Sequence, residues 1–296
     1  MKRFFLGVLA GVLLIAGSGS GAAYAQTPAD ADSITLSPVG RKYSLEAGQT
    51  VEDKLTVVND GKTAYDIAVY SRPYSVTNEA YEPDFTKTPA NADAYGWVKF
   101  PKTKYRLEAG QSIEVPFSMT VPANAKPGGH YGVVFAETQP DEAAANGNAV
   151  IRKKRVGAIL YATVKGDFIT KGQLDSTHIP FWQPQPPLHA ESRATNSGNS
   201  DFVNATEFTV KDVFGNTKFT QIKEFTLLPG TSRVMSFDWN GASWLGFYKV
   251  ELKQTVLGKT SVDSGYVLLL PRYLPVLLVV VLLIGGAYAW FRHKKK

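Results

Sequence analysis

The sequence predicts an all-β chain with one helix at its C-terminal end, and three observations predict it. Short runs of alternating apolar and polar residues, rich in β-branched and aromatic side chains, fill residues 33–270 with turn signals between them. One ordered set of those turn signals occurs twice. A single uncharged stretch, "YLPVLLVVVLLIGGAYAWF" at 273–291, has the length of one membrane-spanning helix.

From the N-terminus, residues 1–25 read as a secretory signal peptide. Lys2 and Arg3 form the basic start, "FFLGVLAGVLLIA" the apolar middle, and "AYA" at Ala23–Ala25 the small-residue cleavage site. An uncleaved signal anchor is the alternative. Strands then follow. In "DKLTVVNDGKTAYDIAVYS", Leu55, Val57 and Asn59 alternate, "NDG" turns the chain, and Tyr65, Ile67 and Val69 alternate on a return strand. "SIEVPFSMTVP" sets Ile113, Val115, Phe117 and Met119 on one face, and "GHYGVVFAET" and "RVGAILYATVKGD" are two more strands joined by the polar loop "TQPDEAAANGNAV". No amphipathic helical stretch precedes the span.

"KYSLEAGQT" at Lys42 returns as "KYRLEAGQS" at Lys104, and each precedes a strand. A unit of that length holds too few strands to close a sandwich, so the phrase marks two equivalent turns within one domain. A longer period fits better. "NDG" at Asn59 is matched by "NSG" at Asn196, Leu107 of the second "LEAG" by Leu227 of "LLPG", and Tyr131 of "GGHYGVVF" by Tyr248 of "GFYKVEL". Two tandem immunoglobulin-like β-sandwiches account for that order, one over 33–168 and the next over 169–270. The transmembrane helix (273–291) and a cytoplasmic basic tail (292–296, "RHKKK") complete the chain. That tail places the C-terminus in the cytoplasm and the sandwiches outside the cell.

The formal net charge is +6, but Lys2, Arg3, Arg292, Lys294, Lys295 and Lys296 account for all of it. The 26 other basic residues balance the 26 acidic ones, so the exported part lacks the basic face that nucleic-acid binding requires. The chain has no cysteine, which excludes disulfides, thiol chemistry and cysteine-held zinc. Its four histidines, His130, His178, His189 and His293, show no metal-ligand spacing, and no G-x-S-x-G elbow occurs. The sequence therefore predicts no enzyme, no catalytic residue, no metal and no cofactor.

Two segments are candidate binding sites. The irregular stretch from Tyr70 to Phe100 carries Tyr74, Tyr81, Phe85, Tyr95 and Trp97 among Pro, Asn and Asp. Flat rings beside amide and carboxylate groups suit a glycan ligand, and packing of the rings on the sandwich edge is the plainer alternative. "RKKR", Arg152, Lys153, Lys154 and Arg155, opens the last strand of the first domain. It suits an anionic wall polymer or a partner strand, against a charged edge that only prevents aggregation. "FWQPQPPL" at 181–188 reads as a Pro-stiffened segment opening the second domain.

With "YSLEAGQTVEDKLTVVNDG", "YSVTNEAYEPDF", "RLEAGQSIEVPFSMTVPANAKPGGHYGVVFAE" and the terminal "VLLVVVLLIGGAYAWFRHKKK", the chain resembles the WxL-interacting proteins of Gram-positive bacterial surfaces. The resemblance implies two tandem immunoglobulin-like domains, the first binding peptidoglycan and the second contacting host-surface or matrix proteins. The expected function is that of a membrane-anchored extracellular binding or adhesion protein, which holds cell-wall glycan or surface proteins. A surface assembly factor acting by β-strand augmentation is the alternative.

Overall fold

The computed structural model describes residues 33–139 and 153–294, without the side chains of Tyr288 and Ala289. The predicted signal peptide, Arg152, nearly all of the "TQPDEAAANGNAV" loop and the last two lysines lie outside the described residues. The first half runs β1 (Ile34–Ser37), β2 (Gly40–Leu45), β3 (Thr50–Asn59), β4 (Tyr65–Pro73), β5 (Ser75–Val76) and β6 (Pro83–Asp84). A 3-10 turn (Ala94–Trp97) leads to β7 (Val98–Lys99), β8 (Lys104–Leu107), β9 (Ser112–Thr120), β10 (Gly128–Gln139) and β11 (Arg155–Val164). The second half holds β12 (Gly172–His178), β13 (Trp182–Gln183), β14 (Leu188–Asn196), β15 (Phe202–Lys211), β16 (Thr217–Leu227), β17 (Thr231–Trp239), β18 (Gly246–Val256) and β19 (Lys259–Leu269). One α-helix, α1 (Tyr273–Lys294), ends the described chain.

Apart from the short β5–β6 pair, these strands form two stacked pairs of sheets. In the first half, β1-β3-β9-β7 packs on β2-β11-β10-β4-β8; in the second, β12-β14-β17 packs on β13-β19-β18-β15-β16. The alternation seen in the sequence decides which faces meet. Leu55, Val57, Val115, Phe117 and Met119 point inward from one sheet against Ile67, Val134, Ala136 and Leu160 of the other. Leu188, Met235 and Phe237 likewise meet Phe208, Val250, Leu252 and Val267 in a separate second core. Burying each of the Val, Leu, Ile, Phe and Met side chains among these contributes roughly 1.5–3 kcal/mol.

The paired landmarks hold matched positions. Asn59 ends β3 and is fully buried; its Nδ2 donates to the Thr63, Leu107 and Glu108 carbonyls, and its Oδ1 accepts from Gly61 N. Asn196 ends β14 in the same way, with Nδ2 donating to the Ser200 and Leu227 carbonyls and Oδ1 accepting from Gly198 N. Gly110 and Gly230 take positive φ at the partner turns (73° and 69°) and donate their N–H to the Asn59 and Asn196 carbonyls, 2.9 Å in each case. The two "LEAGQ" turns share one device: the Gln49 side chain accepts from Glu46 N and that of Gln111 from Glu108 N, both at 2.8 Å.

One expectation is corrected. "NDG" is not a hairpin turn, because β3 and β4 belong to different sheets. The segment arches across the core, and the Asn59 side chain supplies the hydrogen bonds that a hairpin ladder would otherwise make. The helix also runs to Lys294, beyond the predicted Phe291. Arg and Lys are good helix formers, and their charge is favourable in a last turn.

Candidate binding surfaces

The excursion between β4 and β7 folds back on the outer face of the five-stranded sheet. Tyr74 is 6% exposed; its ring lies 6.2 Å from that of Phe85 and edge-on to Tyr161 at 6.4 Å. Phe85 meets Phe135 edge-on at 4.9 Å. Trp97 belongs to a different cluster, the first core, and its ring lies 4.8 Å from His130. Tyr95 is half-buried, and its carbonyl accepts from Ser71 Oγ. Tyr74, Tyr81 and Phe85 thus belong to one packing cluster and Trp97 to another, and the five rings form no single flat platform.

Tyr81 points away from the first core. It sits at positive φ (63°) in the turn between β5 and β6, and its hydroxyl reaches the second half. There it accepts from Leu228 N at 2.8 Å and bonds Thr231 Oγ1 at 2.5 Å, with the Arg233 guanidinium 4.2 Å from its ring centroid. Neighbouring groups extend this seam. Glu79 holds the Arg193 guanidinium through two bonds (2.7 and 3.0 Å), and its carbonyl accepts from Val234 N. Tyr131 OH donates to Asp201, Gly129 N donates to the Asn199 carbonyl, and buried Leu228 packs among Tyr74, Tyr131, Val133 and Phe135. Burial pushes the Tyr131 phenol well above its ordinary range, with Asp201 pushing the same way; burial does likewise at Tyr161, helped by Tyr74. Burial lowers the Arg233 pKa from its ordinary value. The seam thus joins the halves through neutral phenols, an apolar plug and the Arg193–Glu79 ion pair. No sequence period could have revealed it, since its partners stand 70 or more residues apart.

Of the basic tetrad, Lys153 is exposed, and Lys154 pairs its backbone with Thr138 across the hairpin. Arg155 opens β11 and lays its guanidinium over the Phe135 ring, 4.2 Å from the centroid. β11 is not an outer strand, because β10 and β2 flank it. Arg155 also pairs with Glu137 in the β10 register.

An open strand edge does exist, on β19. Its inner side pairs along the whole of β18, whereas its outer side pairs with β13 only at Leu268 and Leu269. The Leu268 and Leu270 amides donate outward to the Phe181 and Gln183 carbonyls. By the two-residue period, the backbone groups of Thr260, Val262, Ser264 and Tyr266 also face outward. Among the described residues these four have no backbone partner on that side.

Among the described residues, no group of three or more His, Asp or Glu side chains is arranged to hold a metal ion. The residues of α1 are long and apolar enough to cross a membrane, by length and composition. Neither a family model nor a curated protein matches the sequence. Solved structures similar to this chain include the class 5 fimbriae chaperone CfaA, 12% identical over 80% of this chain and 99% of that one, with a TM-score of 0.39. Another is the SafA pilin–SafB chaperone complex of Salmonella enterica (13% identity, 80% and 97% coverage, TM-score 0.39). The CsuC–CsuE chaperone–tip adhesin complex of Acinetobacter baumannii gives 12%, 78% and 97%, with a TM-score of 0.38. At these scores the likeness assigns neither family nor function.

Proposed function

We propose that this chain is a single-pass membrane protein of a bacterial cell surface, whose two immunoglobulin-like sandwiches bind a partner protein outside the cell. The matched strand orders of the two halves support the immunoglobulin-like reading, as does the division of the first strand region between both sheets in each half (β1 and β2, β12 and β13). Helix α1 with its basic last turn supports a membrane anchor with the C-terminus inside. The resemblance to WxL-interacting proteins is part of the same proposal. The observation that carries the binding mode is the outer edge of β19, where four residues have no outward backbone partner among the described residues and an extended segment of a partner could pair. A glycan platform on the first sandwich has less support, because Tyr74 and Trp97 are buried and Phe85 is packed between rings.

The test is site-specific photocrosslinking from position 262 of the full-length protein in intact cells. The expected result is a covalent adduct with a surface protein that disappears when Ser264→Pro removes an outward N–H. That substitution leaves the bonds to β18 intact. Adducts that persist in S264P, together with retention of the protein on protein-free wall polymer, would replace strand addition with glycan binding. A stable adduct population fits adhesion, whereas adducts that chase away as the partner matures fit the assembly-factor alternative.

A further inference from the structure

Large apolar side chains are unevenly exposed on this molecule. Among the described residues the first core unit, Ile34–Val164, leaves only Val39 in this class, whereas the second carries a concentration at one end. Phe181, Trp182, Phe214, Trp244, Leu245 and Phe247 are each at least 40% exposed, and Phe214 is 86% exposed. The sheet register places them together. Trp182 and Phe247 both pair with Leu268, and Gly246 pairs with Leu269, so Trp244 and Leu245 stand just past that level. Lys211 pairs with Lys249, which pairs with Tyr266, so the β15–β16 hairpin carries Val213 and Phe214 past Tyr266 toward the same end. Three loops from separate parts of the sequence thus expose apolar tips in one direction.

The membrane helix leaves the sandwich at that same end. Only residues 270–272 separate Leu269 from Tyr273, and three residues reach at most roughly 10 Å. The loops at 179–187 and 240–245 contain no charged residue. In the hairpin, Asp212 turns its carboxylate back onto Phe214 N and Asn216 N (2.9 Å each) and the Lys218 ammonium, which leaves Val213 and Phe214 at the tip. Phe247 and Tyr266 stack almost parallel with centroids 5.4 Å apart, and Phe181 meets Phe247 edge-on. Exposed rings and aliphatic side chains without charge are disfavoured against water, and aromatic side chains collect at the boundary between lipid headgroups and acyl chains.

We infer that this end of the second sandwich is a membrane-seating face: its three apolar loop tips insert into the headgroup region of the bilayer that α1 crosses. The occupant is the lipid interface itself, because the chain's own continuity holds the face within a few residues of it. The inference rests on the membrane-anchor reading above. Seating at several points fixes the tilt of the second sandwich, and the seam with the first sandwich carries that orientation outward.

The absence of cysteine makes any introduced thiol unique. Full-length protein carrying Phe214→Cys, Trp244→Cys, Val39→Cys or Leu282→Cys is reconstituted in liposomes and nitroxide-labelled. Collision of each label with dissolved oxygen and with a water-soluble nickel chelate is then measured. Seating predicts that labels at 214 and 244 lose nickel collisions and gain oxygen collisions relative to 39, at a depth shallower than 282. If 282 lies in hydrocarbon while 214 and 244 match 39, the seating face is wrong and the anchor stands. If 282 itself reports water, the anchor fails and the seating face fails with it. Shielding at 214 and 244 from both reagents, with spin–spin broadening between copies, would assign the face to a second copy and overturn the lipid assignment.

Discussion

Asn59 and Asn196 show how one side chain can replace a stretch of secondary structure. Each is fully buried and saturates the backbone of an arch that crosses from one sheet to the other. Asn196→Ala would leave the Ser200 and Leu227 carbonyls and the Gly198 amide without their partner. A loss of roughly 2–4 kcal/mol is expected, read as a lower urea midpoint. The repeated Asn-x-Gly was legible because its chemistry is local. Its role as an arch was not, since the choice between hairpin and arch depends on which sheet the next strand joins. His130 supplies a second test. Its Nδ1 faces Asp93 at 2.7 Å and its Nε2 faces the Lys126 carbonyl at 2.8 Å, so only the imidazolium donates to both. Burial opposes the charge, yet these bonds outweigh it and the pKa is raised. The stabilisation is therefore full below the unfolded value of about 6.5. It is lost as the pH rises through the higher folded value. Urea midpoints of the wild type should fall across that window, and His130→Gln should flatten that part of the slope.

At the scale of elements, β3 and β9 were readable from period-two patterning, because each buries one face against its own core; β14 and β15 alternate as regularly but were not read from the sequence. The rings of Tyr74, Phe85 and Trp97 were readable as a group but not by orientation. Their facing is decided by Phe135, Tyr161 and His130 on strands distant in sequence. The β5–β6 turn is the clearest case, because Tyr81 anchors it to residues 147 and 150 positions away. Tyr81→Ala removes the acceptor for Leu228 N and the ring beneath Arg233 while leaving both cores intact. Distance distributions between labels on the two sandwiches should broaden in Y81A, and cleavage in residues 165–171 should accelerate, with little change in circular dichroism. Unchanged distributions would show that the Arg193–Glu79 and Tyr131–Asp201 contacts hold the halves without it.

For the whole molecule, the basic excess lies entirely in the first three and last five residues, and the sandwiches between them are balanced. Ending the chain after Arg272 should move the protein from the membrane fraction to the soluble fraction without unfolding either sandwich, since α1 contributes to neither core. Fractionation followed by thermal unfolding of the truncated chain measures both. The matched order of turn signals in the two halves was legible, whereas the seam joining the halves was not, because its contacts pair residues with no common local motif.

The three residues between β19 and α1 also decide how the molecule would bear a pulling load. A partner strand along Thr260–Tyr266 would pass tension down β19, whose Val267 and Leu269 belong to the second core, and through residues 270–272 into α1, a route that bypasses the first core. The hydrogen bonds between the partner strand and the outer edge of β19 would run across that line and would be loaded together in shear rather than opened one after another. The first sandwich would then stay out of the load path while β19 and the tether carry the force.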